Sequence, residues 1–148
     1  MNKSHLTAIT RTKLSKPIKI LRKKKLIVGD VLDYGCGKGF DADYYEFDKY
    51  DPHYSPQKPK GKYDTVLCHF VLNVLGINLE SKVLKKLKKY IKRGGDAYIT
   101  VRRDLRKEGY TKKGTYQRKV YLALPIIYED SDICIYHLPN YNPCKGEL

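Results

Sequence analysis

A glycine-rich loop directly after a short apolar run is the feature that most constrains the fold. Residues 30–34 predict a buried strand, and the loop Gly35 to Gly39 continues it in the pattern D-x-G-x-G-x-G. Glycines at these positions let the backbone turn tightly and approach a ligand that a Cβ atom would obstruct. The pattern predicts an α/β sheet with a ligand site at the carboxyl end of its first strand.

The acid near the end of this strand, Asp33, separates the loop from a dinucleotide site. The G-x-G-x-x-G fingerprint needs a glycine at position 40, where the chain has Phe40. A carboxylate is also a poor neighbour for a pyrophosphate. It suits a cofactor with a cationic end, and S-adenosylmethionine (SAM), with an ammonium and a sulfonium, is such a cofactor. The alternative is an ordinary tight turn that binds nothing.

A second acid, Asp51, stands at the end of the next predicted strand, about residues 46–50. A carboxylate at that position accepts the hydroxyls of a ribose. Asp51 follows Gly39 by only twelve residues, so the intervening helix is predicted to be a short turn over residues 40–45. Pro52 ends the ladder pairing of the strand.

The remaining elements alternate and then become purely β. One helix is predicted after Ser15, with Pro17 in its first turn, and a second over residues 79–92, capped by Asn78 and stopped by Gly94-Gly95. Further strands are predicted over residues 63–71, 96–103, 120–130 and 132–138. This order predicts a doubly wound, mainly parallel sheet with helices on both faces and a C-terminal antiparallel hairpin.

Charge is distributed unevenly along the chain. The formal net charge is +14, with +8 in residues 1–30 and +11 in residues 79–119, while residues 31–78 carry −2. Such a basic excess favours a polyanionic partner, nucleic acid first. The alternative is a lysine-rich solvated surface, which is the favoured interpretation for the lysines of helix 79–92.

Length and composition bound the remaining possibilities. The 148 residues fit a single domain, 1–148, and no apolar run reaches the length of a membrane span or a signal-peptide core. We therefore expect a cytoplasmic protein with no membrane partner. The cysteines, Cys36, Cys68, Cys134 and Cys144, form no C-x-x-C pair, and Cys134 with His137 gives only one C-x-x-H, so no metal is predicted.

Four segments resemble the motifs of class I SAM-dependent methyltransferases. "VLDYGCGKG" resembles the first motif, "YDP" the acidic second, "KYDTVLCHFVLNVL" the fourth, and "IKRGGDAYITVRR" the segment after it. They cover about residues 30–103. The additional segments "ITRTKLSKPIKIL", "YDPHY" and "GYTKKGTYQ" resemble methyltransferase-like proteins associated with DNA phosphorothioation loci, and small relatives in phages and mobile elements.

The resemblance implies a truncated Rossmann-like methyltransferase sheet. The third strand and helix of the general family have no room between Asp51 and Asp64, so residues 64–71 are expected to pair beside the first strand. The domain then divides into an N-terminal basic segment and helix (1–29), a cofactor-binding core (30–103), and a substrate-side loop with C-terminal strands (104–148).

The resemblance also assigns the cofactor site. Asp33 and the three loop glycines are expected at the methionine end of SAM, and Asp51 at the ribose. The family's adenine-binding acid has no counterpart, so His53, Tyr54, Cys68 or His69 is expected beside adenine. The predicted cofactor-binding residues are Asp33, Tyr34, Gly35, Gly37, Gly39, Asp51, His53, Cys68 and His69.

The sequence contains fewer signals that identify the methyl acceptor. The chain has no Asp/Asn-Pro-Pro-aromatic tetrapeptide of the kind that amino-nitrogen DNA methyltransferases carry. Cytosine-C5 enzymes use a Pro-Cys nucleophile, whereas Cys68 follows Leu67, so direct in-line transfer is predicted. Candidate catalytic residues are Asn73, His69 and Arg102, although Asn73 is equally explained as a helix cap and His69 as a structural histidine. Predicted substrate-binding residues are Arg11, Lys13, Arg102, Arg103, Tyr110, Lys112, Lys113, Thr115 and Tyr116.

The combined prediction is methyl transfer from SAM to a nucleic acid, DNA in preference to RNA, with S-adenosylhomocysteine (SAH) as product. A separate protein for target recognition is a further expected partner. Two alternatives stay open: a small-molecule or protein methyltransferase, and a non-catalytic SAM-binding subunit of another enzyme. The sequence is silent on oligomeric state.

Overall fold

The structure, a computed structural model, describes residues 3–141, and a six-stranded sheet lies at its centre. The helices are α1 (Lys16–Lys23), α2 (Phe40–Tyr45) and α3 (Ile77–Tyr90). The strands are β1 (Val31–Tyr34), β2 (Asp48–Tyr50), β3 (Tyr63–His69), β4 (Ile91–Arg102), β5 (Gly109–Tyr110), β6 (Tyr116–Gln117), β7 (Ile126–Glu129) and β8 (Ile133–Pro139). Short 3-10 turns cover Ser4–Thr7 and Leu72–Val74.

The sheet has the order β2-β1-β3-β4-β8-β7. The first four strands in this order run parallel, and β8 pairs antiparallel with both β4 and β7. β3 lies directly beside β1, with Leu32 opposite Val66. The predicted α/β sheet with its antiparallel C-terminal hairpin is confirmed, and so is the predicted pairing of residues 64–71 beside the first strand.

Helices cover both faces of this sheet, and the side chains of each strand point to the two faces in alternation. On one face, Val83 and Leu87 of α3 pack with Val66 of β3. On the other, Ile18 and Leu21 of α1 pack with Leu67, the next residue along β3. Neighbouring residues of a strand point to opposite faces, so the continuous apolar run of β3 needs a helix on each side.

The first helix begins where predicted, but its cap is different. Ser15 is the N-cap of α1 and Pro17 lies in its first turn. The Ser15 hydroxyl makes no capping bond; it donates to Oδ2 of Asp41 at 2.5 Å, and the Ser15 backbone N–H donates to Oδ1 at 2.9 Å. The buried Asp41 carboxylate thereby ties the start of α1 to α2, the helix that follows the glycine loop.

The boundary between α3 and β4 differs from the prediction. Gly76 is the N-cap of α3, so Asn78 lies inside the first turn, and the chain enters β4 at Ile91 with no glycine stop. Gly94 and Gly95 lie within β4, where the register with β3 shifts. A Cβ atom on Gly95 would stand 2.9 Å from the carbonyl oxygen of Asp64, so the close approach of two strands explains this glycine.

The region after β4 contains structure that the sequence pattern did not indicate. Residues 104–119, predicted as a polar loop, include the small antiparallel hairpin of β5 and β6. The strand predicted over residues 120–130 is shorter in the structure. Val120 is buried in the core, and only residues 126–129 join the sheet. Cys144 lies outside the described residues. Within residues 3–141, no helix is long and apolar enough to cross a membrane.

Candidate functional site

Two cavities open beside the glycine loop at the carboxyl ends of β1 and β3. The first, the Asp33 cavity, has a volume of about 410 Å³ and is lined by Asp33, Arg11, Gly39, Asp41, His69, Phe70, Arg102 and Gln117, among others. The second, the Asp51 cavity, has a volume of about 500 Å³ and is lined by Asp51, Tyr34, Gly35, Tyr50, Val71, Leu75 and Val83, among others. Both volumes lie in the range of small-molecule sites.

A short N-terminal stretch, residues 4–11, forms a covering segment over the loop. The His5 ring stacks on His53 with centroids 4.0 Å apart, and the Tyr54 hydroxyl donates to the His5 carbonyl at 3.2 Å. Further along, Lys38 Nζ donates to Thr10 Oγ1 at 2.9 Å. Thr7 and Ala8 of this segment, with Gly37 and Phe70, line both cavities. The two cavities are therefore neighbouring parts of one cleft that the covering segment divides.

The glycine loop is held against the end of β2. The backbone N–H groups of Gly35 and Cys36 both donate to the Tyr50 carbonyl, at 2.7 and 3.0 Å. Gly35 has φ +80°, and a Cβ atom there would collide with Cγ2 of Val71. A side chain at this position would both strain the backbone and displace Val71 from the wall of the Asp51 cavity.

Asp33 is a buried carboxyl group without a hydrogen-bond donor. It is 5% exposed and accepts no hydrogen bond from any residue between 3 and 141. Burial raises the pKa of Asp33 to about 7, helped by the negative charges of Asp41 and Asp51 and opposed by Arg11. A buried carboxylate without a partner is unfavourable, so a ligand cation in this cavity would find a strong acceptor.

Asp51 is in the opposite situation, because backbone groups already surround it. Its Oδ2 accepts the Gly37 N–H at 3.0 Å, and its Oδ1 accepts the N–H groups of His53 and Tyr54 at 2.9 and 3.0 Å. A carboxylate offers about four acceptor positions, so capacity remains for a ligand hydroxyl. Asp51 both shapes the loop and lines the second cavity.

The histidine at the end of β3 lies in the Asp33 cavity. Nδ1 of His69 shares a 2.8 Å hydrogen bond with the Thr100 hydroxyl, while Nε2 is shielded from solvent and has no hydrogen-bond partner among the described residues. Burial lowers the pKa of His69 to about 4, so the ring is neutral at pH 7. A neutral imidazole suits hydrogen bonding to a ligand better than charge pairing.

Three predicted cofactor residues stand elsewhere than expected. His53 is exposed, stacks on His5, and does not line the Asp51 cavity. Cys68 is fully buried in the core beneath the α3 face of the sheet and reaches neither cavity. His69 opens on the Asp33 cavity, away from the second cavity. These positions do not support adenine contacts for His53 and Cys68.

Asn73, predicted as a catalytic residue, holds backbone segments together. Its side chain is fully buried, Nδ2 donates to the Arg118 carbonyl at 2.9 Å, and Oδ1 accepts the Arg102 N–H at 2.9 Å. Both ends of the amide are thus engaged in fastening the chain after β6 to the end of β4. The Asn73 side chain lines neither cavity, which favours the structural interpretation of this residue.

Arg102 and Arg103, both predicted to bind substrate, point to opposite sides of β4. Arg102 lines the Asp33 cavity and pairs with Asp104, with Nε 2.8 Å from Oδ1. The Arg103 guanidinium donates to Glu129, to the Val120 carbonyl and to the Tyr136 hydroxyl, each at 2.7 Å. Arg103 is therefore a structural anchor for the chain between β6 and β8.

Of the other predicted substrate residues, only Arg11 lines a cavity. The rest stand around the β5–β6 hairpin or on the N-terminal surface: Lys13, Tyr110, Lys112, Lys113, Thr115 and Tyr116. Thr115 is buried and its hydroxyl bonds that of Thr111, whereas Tyr110 is 80% exposed. The hairpin residue that reaches the cavity is Gln117, the last letter of the "GYTKKGTYQ" segment.

No protein-family model and no curated protein matches the chain. Among solved structures, 1,6-didemethyltoxoflavin-N1-methyltransferase of Burkholderia thailandensis, with bound 1,6-didemethyltoxoflavin and SAH, superposes with a TM-score of 0.60 at 11% identity, covering 95% of this chain and 80% of that one. The N-methyltransferase NodS of Bradyrhizobium japonicum with SAH gives 0.57 at 11% identity, covering 95% and 98%. The DhpI–SAH complex gives 0.58 at 12% identity, covering 85% and 84%.

These likenesses extend over nearly the whole chain, although few residues are identical. A fold can be shared where site chemistry differs, so at this level of identity they establish architecture. The chain has the fold of Rossmann-like methyltransferases.

Proposed function

We propose that this protein is a SAM-dependent methyltransferase that modifies nucleic acid, DNA in preference to RNA. The observation that carries the proposal is a divided cleft in which Asp33 lines one part and Asp51 lines the other. Asp33, buried and without a donor, fits the ammonium of SAM, and Asp51, at the end of β2, fits its ribose hydroxyls. Three solved structures of the same fold hold SAH, which is consistent with this cofactor.

The residues that line the cleft suit a direct transfer. When bound, SAM supplies a methyl group on a positively charged sulfur, and an acceptor lone pair takes it in line while the C–S electron pair stays on sulfur. The protein aligns the two reactants and excludes water, which is what Phe70 and the covering segment provide. His69, neutral at pH 7, lines the Asp33 cavity, which supports a role in orienting an acceptor by hydrogen bonding.

The nucleic-acid acceptor rests on charge and on resemblance. The formal net charge is +14, and Arg11, Lys38 and Arg102 line the Asp33 cavity. The resemblance to methyltransferase-like proteins of DNA phosphorothioation loci and of phages points the same way. A partner protein that recognises the target is part of the proposal.

Transfer of a tritiated methyl group from SAM tests the proposal directly. DNA, RNA, a protein extract and a small-metabolite extract are offered in parallel, with heat-denatured enzyme as control. We expect label in DNA, and less in RNA. Label in neither nucleic acid, with label in another fraction, would contradict the proposed acceptor while leaving the methyltransferase activity standing.

Two other functions have specific support. The structural neighbour from Burkholderia thailandensis holds a small molecule, 1,6-didemethyltoxoflavin, and the Asp33 cavity is also of small-molecule size, which favours a small-molecule acceptor. The engagement of Asn73 in the scaffold favours a non-catalytic SAM-binding subunit. SAH binding without methyl transfer to any fraction would select the second.

A further inference from the structure

Besides the Asp33 carboxylate, two side-chain atoms that are shielded from solvent lack hydrogen-bond partners among residues 3–141, and both belong to residues that line the Asp33 cavity. They are Nε2 of His69 and Oε1 of Gln117. Buried side-chain polar atoms without partners are rare in native proteins, and each needs an explanation. Their occurrence in the same cavity indicates that a ligand completes both.

The scaffold holds the His69 ring and the backbone beside Gln117 from different directions. His69 ends β3, and the Thr100 hydroxyl on β4 holds its Nδ1, which leaves Nε2 as the free ring atom. Gln117 ends β6, and its neighbour Arg118 is fastened by its N–H to the Asn73 carbonyl at 2.8 Å and by Nε to the Leu75 carbonyl at 2.6 Å. Atoms held this way act as fixed recognition points.

The rest of the cavity suits a flat ring. Phe40 and Phe70 line it and offer apolar faces, and the guanidinium of Arg102 offers a planar cation. A flat ring with polar edges satisfies apolar walls and fixed polar atoms at once, as unstacked bases do on aromatic side chains. A flexible alkylamine would leave the aromatic walls and one of the two polar atoms unsatisfied.

We propose that His69 and Gln117 recognise the methyl acceptor, and that this acceptor is a planar heterocycle of the nucleobase class. An N–H on the edge of the ring donates to Oε1 of Gln117, and an adjacent edge atom bonds Nε2 of His69. This inference rests on the proposed function, because it places the acceptor beside the methionine end of SAM. It assigns the pair a role in specificity and positioning, with no covalent step.

Calorimetry in the presence of saturating SAH tests the assignment. SAH occupies the cofactor site, so added deoxycytidine, deoxyadenosine, deoxyguanosine and thymidine report on the acceptor site. Phenethylamine and p-cresol serve as ligands with a ring but without the paired edge. We expect at least one nucleoside to bind ten times more tightly than either comparison compound, since unpaired polar groups in a site reject ligands that cannot pair them.

Variants separate recognition from folding. Gln117→Leu should weaken nucleoside binding at least tenfold, Gln117→Glu should retain more of it because it keeps an acceptor oxygen, and Gln57→Leu, in an exposed loop, should change nothing. SAH affinity and melting temperature should stay unchanged in all three. His69→Phe should weaken nucleoside binding to a similar extent.

Each result of these measurements either supports or overturns the recognition role of His69 and Gln117. No preference for nucleosides over phenethylamine and p-cresol would overturn the inference, as would equal nucleoside binding by wild type and Gln117→Leu. Should His69→Phe fail to fold, the Gln117 series alone decides. Absence of SAH binding by wild type is a different result, because it contradicts the proposed function itself and not the recognition pair.

Discussion

The Asp33 cavity and the Asp51 cavity share a wall but differ in character. The first gathers ionisable side chains from many elements, including Arg11, Asp41 and Arg102. The second is walled by Tyr34, Val71, Leu75 and other aromatic or aliphatic residues, with lysines of α3 at its rim. SAM has the same division, with charges at the methionine end and a flat nucleoside at the other, so the comparison predicts which end each cavity takes.

The two carboxylates sharpen the contrast. Asp33 has no donor and a pKa raised to about 7, whereas Asp51 accepts three backbone N–H groups. Removing Asp51, which holds the loop together, should therefore weaken both the fold and ligand binding. Removing Asp33, which holds no other part of the chain, should weaken ligand binding alone. Ligands that represent half of SAM, such as adenosine, therefore tell the two cavities apart.

The largest effect is expected from Asp51→Ala. It removes the ribose acceptor and releases three backbone N–H groups of the loop, so SAH and adenosine should both lose measurable binding in calorimetry, and the melting temperature should fall. Asp51→Asn keeps one acceptor oxygen and should preserve more of the fold. Unchanged adenosine affinity in the alanine variant would show that the ribose lies elsewhere.

Asp33→Asn should act on only one cavity. Losing a charge-assisted hydrogen bond to the ammonium should weaken SAH binding by about 30-fold. Adenosine affinity should change less than twofold, because adenosine lacks the methionine end. Calorimetry with both ligands on both variants completes the comparison. Equal losses of SAH and adenosine affinity in Asp33→Asn would contradict the assignment of the Asp33 cavity to the methionine end alone.

The raised pKa of Asp33 predicts a pH dependence with a definite sign. Ionised Asp33 binds the ammonium, so SAH affinity should fall by about tenfold between pH 7 and pH 5.5, while adenosine affinity stays flat. The same group should lower the free energy of unfolding as pH rises from about 4 to 7, since the folded protein holds its proton longer than the unfolded chain. Asp33→Asn should remove both trends; their persistence would assign them to another group.

Much of the cleft could be predicted from sequence because it is local. The strand, the glycine loop and Asp33 lie within ten residues, so the motif carries its own geometry. Contacts between chain segments that lie far apart in sequence were harder to predict. The sequence suggested that the Asn73 side chain could contact an acceptor, but its partners are Arg102 and Arg118, which no local pattern connects to it.

Two features of the sequence admitted a second interpretation that fits the structure better. The predicted strand over residues 96–103 holds both Arg102 and Arg103, and alternation along a strand puts neighbouring residues on opposite faces, so only one of them can reach the cavity. In the structure Arg102 ends β4 and Arg103 follows it. A Gly-Gly pair such as Gly94-Gly95 is typical both of a helix end and of a bulge in a strand. The close approach of the Asp64 backbone to Gly95 explains why the structure has a bulge here. Gln117 gave no signal beyond its place in a recognised segment.

The smallest expected effect concerns which cavity faces a polynucleotide. Lys86 stands at the rim of the Asp51 cavity and Arg102 lines the Asp33 cavity, so each reports on its own side. If the acceptor base enters the Asp33 cavity, its flanking phosphates run past Arg102. Arg102→Gln should then reduce the slope of log K against log salt for single-stranded DNA by about 0.7, the share of one phosphate contact.

Lys86→Gln is the matched control, since it removes one positive charge from the other rim. It should leave the slope unchanged within 0.2 or so, because an exposed lysine that contacts no phosphate releases no counterion. Fluorescence titrations between about 50 and 200 mM salt measure both slopes. A slope that changes in Lys86→Gln and not in Arg102→Gln would place the strand along α3, and would move the acceptor from the Asp33 cavity to the Asp51 side of the cleft.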